Sequence, residues 1–154
     1  MNNLDLIIFD CDGTITDSET LNNQALLDAL YKDGFTNYTL DHVLNNWVGQ
    51  TVTDIAKIIE HDTGRAPSPL LTSNFVARVA ELQLTELKAV EGADALISAA
   101  SKKYKICVAS NGERSNVLKS LDLTHLKKYF NDDMVFTKSQ VARPKPHPDL
   151  FLYA

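Results

Sequence analysis

No apolar run in this chain is long enough to cross a bilayer. The first residues also lack the basic-then-apolar pattern of an export signal. Basic residues are outnumbered, 15 Lys and Arg against 20 Asp and Glu, for a formal charge of −5. That balance excludes the broad electrostatic attraction on which general binding to nucleic acid or an anionic membrane depends. Cysteine is scarce: Cys11 and Cys107 both lie in or beside stretches that read as buried strands. Reduced thiols and a cytoplasmic location are therefore expected, rather than a disulfide. His42, His61, His125 and His147 show no metal-ligand spacing. Repeats, low-complexity segments and Gly/Ser linkers are absent as well. What is present is an ordinary globular composition, 44% hydrophobic and 23% charged. A chain of 154 residues can bury one core and carry a small insertion.

The most informative stretch runs from Leu4 to Thr14. Its apolar run, with Ile7, Ile8 and Phe9, stops at Asp10-Cys11-Asp12-Gly13, the pattern of a buried strand ending in a polar loop. Ligands of open α/β sheets bind beyond the carboxyl ends of the strands, which places Asp10 and Asp12 at a candidate site. Two carboxylates this close repel unless a cation or a shared proton intervenes. Gly13 permits close approach or a positive φ, and Thr14 adds a hydroxyl.

From about Asp17 to Leu87 the pattern is entirely helical. Leu21, Ala25, Leu26 and Leu30 keep helical spacing up to Gly34. A second helix is expected over Leu40–Trp47, a bend at Val48-Gly49-Gln50, and a third helix over Thr51–Thr63, stopped by Gly64. Pro67 and Pro69 precede a fourth, with Phe75, Val76, Val79, Leu82 and Leu84 as its apolar positions. An all-helical segment between two strand-bearing regions reads as an inserted domain. The α/β pattern then resumes with a helix over Gly92–Lys102 and a strand over Lys105–Ala109. That strand runs directly into Ser110-Asn111-Gly112, a second polar loop at a strand's carboxyl end. A helix over Glu113–Leu121 and a weaker strand at Met134-Val135-Phe136 follow. The Pro-rich run Arg143–Asp149 is a stiff loop that presents Lys145, and a last helix begins at Leu150.

Taken together and in this order, Asp10-Cys11-Asp12-Gly13-Thr14, Ser110-Asn111-Gly112 and Lys145-Pro146-His147-Pro148-Asp149 resemble the haloacid dehalogenase-like superfamily. They are most similar to its branch with a small helical cap, which holds sugar-phosphate phosphatases and β-phosphoglucomutases. The resemblance implies an α/β fold, a Rossmann-like parallel sheet core at 1–16 and 88–154 with an all-helical cap inserted at 17–87. It implies a Mg²⁺-dependent phosphatase acting on a small phosphorylated metabolite. Asp10 would be the nucleophile, splitting transfer into two steps through an aspartyl-phosphate. Asp12 would serve as acid to the leaving group and then as base to water. Ser110 and Lys145 would bind and neutralise the phosphoryl group. Gly13, Thr14 and Asn111 would contact substrate or order the loops, and Mg²⁺ would be held by the Asp10 carboxylate and the Asp12 carbonyl.

Two departures from the family pattern qualify those expectations. Pro144 stands where a Gly usually precedes the Lys-Pro pair. The family also continues with two further strands and an acidic loop that completes the metal site, beyond the last residue given. The strand before Asp10 is therefore expected to be a sheet edge, open to self-association, and this chain alone is expected to bind Mg²⁺ weakly and to have little activity. The competing readings are a phosphomutase and an inactive fragment with a binding or assembly role. Mutases of the β-phosphoglucomutase type carry an Arg three positions after the cap-loop Gly. Counting from Gly49 reaches Val52, which leans towards hydrolysis.

Overall fold

The computed structural model describes residues 4–154; the first three positions of the expected core segment lie outside the described residues. The chain divides into two compact units, Glu19–Glu86 and the segments on either side of it, up to Ser18 and from Leu87 to Ala154.

The second of these is the α/β unit. Strand β1 (Leu6–Phe9) pairs in parallel with β2 (Lys105–Ser110), which pairs in parallel with β3 (Val135–Thr137). The sheet order is β1-β2-β3, and among the described residues β1 has no strand on its other side. β2 is buried from Ile106 through Ser110, as a central parallel strand requires. Its sequence is accordingly continuous and apolar rather than alternating.

The expected strand starting at Leu4 is shorter than the apolar run suggests. Leu6 pairs with Lys105, the first residue of β2, so nothing remains for Leu4 to pair with, and it is 56% exposed. The third strand is displaced by one residue. Met134 closes a 3-10 turn over Asp132–Met134 and is 41% exposed, whereas Val135 is buried and pairs with Val108.

Helix α5 in this unit (Ala93–Ser101) leads into β2, and α6 (Arg114–Leu123) connects β2 to β3. The Arg114 guanidinium donates to the carbonyls of Asp132 and Val135, tying the start of α6 to the start of β3. The core gathers Phe9, Cys11, Ile15, Ile97, Val108, Val117, Leu121, Leu126, Phe130 and Val135. Phe9 and Phe130 meet edge to face at 6.2 Å. Each fully buried aliphatic side chain here contributes about 1.5–3 kcal/mol relative to exposure.

The helical unit holds four helices, α1 (Glu19–Lys32), α2 (Leu40–Asn46), α3 (Val52–Thr63) and α4 (Leu71–Glu86). Hydroxyls set two of the starts. Thr39 accepts from the His42 N–H at 3.2 Å and Thr51 from the Asp54 N–H at 3.1 Å, each satisfying a donor left free at a helix N-terminus. Leu26, Leu30, Val43, Trp47, Ile55, Ile59 and Leu71 form a core of their own. No described helix is long and apolar enough to cross a membrane.

Candidate active site

Register places the two polar loops side by side. Phe9 lies opposite Val108, so Asp10, one step further on, emerges level with Ala109 and Ser110. The chain then folds tightly. The carbonyl of Cys11 accepts from the N–H groups of Ile15 at 3.0 Å and Thr16 at 3.1 Å, and Gly13 donates to Thr16 at 2.9 Å. Gly13 has φ +70°, the left-handed geometry for which glycine is favoured. The outgoing strand-like segment is pinned to the returning chain by a Thr16–Ala89 antiparallel bridge and by Asp17 donating to the Lys88 carbonyl at 2.9 Å. This turn buries Cys11, Ile15 and Thr16 while Asp10 and Asp12 stay exposed.

The two carboxylates have different partners. Asp10 Oδ1 accepts from its neighbour's backbone N–H, that of Cys11, at 2.8 Å and from Lys145 Nζ at 2.8 Å. Among the described residues no hydrogen bond or ion pair reaches its Oδ2. Asp12 is held by two hydroxyls: Ser18 donates to Oδ1 at 3.0 Å and Ser110 to Oδ2 at 3.2 Å. Ser110 in turn accepts from the Gly112 N–H at 2.9 Å, which anchors its oxygen beside Asp12 and leaves the hydroxyl hydrogen free to turn. Lys145 Nζ also donates to the Ala109 carbonyl at 3.1 Å, and its side chain is only 17% exposed against 45% for Asp10. Asn111 pairs with the main chain of Lys145 at both of its amide atoms.

These residues line a cavity of about 410 Å³ formed by Asp10, Asp12, Ser110, Asn111, Gly112, Lys145 and Pro146. All four expected catalytic residues, Asp10, Asp12, Ser110 and Lys145, are there, as is Asn111. Gly13 and Thr14 are not part of the lining, because the turn closing on the Cys11 carbonyl carries them past it. Two contributors escaped the sequence reading. Ser18 falls at the start of the stretch read as helical, yet it is fully buried and bonded to Asp12. Gly112 read as a turn glycine, yet a Cβ there would lie 2.9 Å from Val117 Cγ2 and 3.4 Å from Asp12 Oδ2. Any larger residue there would have to push the Val117 side chain aside. A second cleft, of about 270 Å³ in the helical unit, has its principal charges already paired, Arg78 with Asp28 and Glu81.

The donor set fits a hard divalent cation of the Mg²⁺ kind. Two carboxylates against one ammonium leave the lining net negative, and Asp10 Oδ2 and the Asp12 carbonyl are oxygens that no described turn or ion pair consumes. Among the described residues no group of three or more His, Cys, Asp or Glu could cage a metal. Waters or a phosphate would have to complete the shell, which suits an ion that dehydrates reluctantly.

Residues 7–154 match the haloacid dehalogenase-like hydrolases, and the chain belongs to that family. It is 31% identical to a 6-phosphogluconate phosphatase of Escherichia coli (strain K12), over all of this chain and 68% of that protein. A conserved haloacid dehalogenase-like protein of unknown function from Agrobacterium tumefaciens str. C58 superposes with a TM-score of 0.86 at 27% identity, covering 98% of this chain and 67% of that one. A family hydrolase from Deinococcus radiodurans R1, solved with bound phosphate and sodium, superposes at 0.80 with 24% identity, over 97% of this chain and 64% of its own. The chain thus spans about two thirds of each of these relatives.

Proposed function

We propose that this cavity is a phosphatase site for a small phosphorylated metabolite, a sugar phosphate in the first instance. The observation that carries the reading is the unequal treatment of two neighbouring carboxylates: Asp10 paired with Lys145, Asp12 with two serine hydroxyls. Asp10 Oδ2, which accepts no bond among the described residues, keeps its lone pairs for attack on phosphorus. A bond from phosphorus to the Asp10 carboxylate forms as the ester P–O bond breaks, and the leaving alkoxide takes a proton from the Asp12 carboxyl. Asp12, then a carboxylate, removes a proton from water; the water oxygen bonds to phosphorus, freeing Asp10 and inorganic phosphate. Lys145 neutralises charge on Asp10 and on the phosphoryl oxygens, where transfer depends on positioning and electrostatics. Ser110 can turn its hydroxyl from Asp12 to a phosphoryl oxygen. Mg²⁺ on the Asp10 carboxylate and the Asp12 carbonyl would supply the positive charge that the lining lacks. The helical unit is the candidate cap, and the Escherichia coli relative makes 6-phosphogluconate the first substrate to try.

The test reads the nucleophile directly. With Mg²⁺ present, beryllium fluoride should form a covalent-like adduct on Asp10, seen as a bound ¹⁹F signal. Asp10→Asn should abolish that signal and reduce phosphate release from a sugar-phosphate panel by on the order of 10⁴-fold or more, with far-UV circular dichroism unchanged. Unaltered turnover in Asp10→Asn would remove the mechanism.

A further inference from the structure

The reaction just described gives Asn111 no chemical task, yet its side chain is fully committed. Nδ2 donates to the Lys145 carbonyl at 2.8 Å, and Oδ1 accepts from the Lys145 N–H at 3.0 Å. A planar amide thus pairs with one residue's main chain at two points, as a strand neighbour would, across 34 positions of sequence.

The loop around Lys145 needs such a partner. Pro144, Pro146 and Pro148 have no N–H, so the Lys145 N–H is one of the few donors by which this run can be anchored. Within the loop, His147 donates back to Pro144 at 3.0 Å, and Arg143 forks onto Asp149. Those bonds shape the loop without tying it to the sheet. Asn111 does tie it, because it follows Ser110, the last residue of β2. The same strand supplies the Ala109 carbonyl that holds the Lys145 ammonium. Main chain and side-chain tip of Lys145 are therefore referenced to residues on either side of Ser110, at the end of one strand, and the ammonium arrives 2.8 Å from Asp10 Oδ1.

We infer that Asn111 is a positioning residue: it sets the Lys145 ammonium on Asp10 and the phosphoryl site by clamping the lysine's main chain, and it does not read the substrate. This rests on the phosphatase reading of the site. It also gives a reason for an amide at position 111. Serine is too short to span both groups, and alanine offers neither donor nor acceptor.

A double-mutant cycle on beryllium fluoride binding in Mg²⁺ tests it, with ¹⁹F signal as the readout. Asn111→Ala should weaken the adduct by on the order of tenfold to a hundredfold, the effect expected of a displaced charge. Asn111→Ser should do the same, and since Asn111 is exposed both variants should keep the wild-type circular dichroism spectrum. Lys145→Met should weaken the adduct at least as much. The decisive measurement is the pair: adding Asn111→Ala to Lys145→Met should change the affinity by no more than about twofold, because the residue acts through the lysine. Effects that multiply would show that Asn111 meets the phosphoryl group by itself, and an adduct unchanged in both Asn111 variants would show that the clamp positions nothing; either overturns the inference. Failure of the wild-type chain to form any adduct even at saturating Mg²⁺ would instead overturn the phosphatase reading beneath it, so the two failures are told apart.

Discussion

Cys11 stands between the two carboxylates of the site, fully buried, with its sulfur 3.8 Å from Thr16 Oγ1. Burial pushes its thiol up to about 12, the neighbouring Asp12 and Asp10 charges adding to the effect and the Thr16 hydroxyl and Lys145 opposing it. Cys107, buried in β2, is raised by burial too. At pH 8 Cys11 is therefore held as the thiol, and the thiolate is the reactive form. A disulfide-exchange reagent should therefore titrate neither thiol in the native protein and both in guanidinium; one fast native thiol would contradict this burial. At this scale the sequence was legible wherever chemistry is written in residue type. Asp10, Asp12 and Lys145 were legible through the ordered motifs in which they stand, since a loop carboxylate or lysine taken alone is commonplace. Ser18 and Gly112 were illegible because their importance lies in what another segment brings to them. Asp12 reaches Ser18 only after the chain doubles back, and Gly112 is crowded by Val117 and by the Ser110 hydroxyl. Thr14 shows the converse: its hydroxyl stands near both carboxylates in sequence, yet the residue does not line the cavity.

Among the elements, the loop at 143–149 and the short helix after it, α7 (Asp149–Tyr153), show how a stiff run is fastened. Arg143 Nε and Nη2 donate to Asp149 Oδ2 and Oδ1 at 3.0 and 2.9 Å, a two-bond fork that closes the loop on the first residue of α7. The guanidinium holds the Asp149 carboxyl below its ordinary value of 3.8. A depressed carboxyl contributes its stabilisation in full above that ordinary value and loses it as pH falls through the lower, folded-state value. An NMR titration of the Asp149 carboxyl carbon should accordingly show a midpoint below 3.8, returning towards it in Arg143→Gln. An unmoved midpoint in that variant would mean that the fork is not formed in solution. Proline spacing made the loop legible; its fastening depends on pairings at six and thirty-four positions' separation, which periodicity does not encode. Periodicity served the helices well, since four apolar stripes are four helices. It failed at β1 and β3, where strand ends are set by the partner strand's register, and at the 3-10 turns over Leu126–Tyr129 and Asp132–Met134, too short to show a period.

For the molecule as a whole, the two units have separate cores, and the sequence distributes natural probes between them. Trp47, the single tryptophan, is buried in the helical core, packed on Tyr38 at 4.8 Å between ring centroids. Both cysteines lie in the α/β unit, where burial silences them. Tryptophan emission therefore reports on the helical core, and thiol accessibility on the sheet. A helical unit held by its own apolar cluster need not melt with a three-stranded sheet whose β1 has a strand on one side only among the described residues. In a urea titration the two probes should give different midpoints, with thiols becoming reactive at the lower urea concentration because the open-edged sheet is the weaker element. Coincident transitions by both probes would establish a single cooperative unit instead. Thiols that stay protected beyond the tryptophan transition would reverse the order, making the sheet the more stable core. The comparison needs no substitution, because Trp47, Cys11 and Cys107 already sit where each core can be read alone.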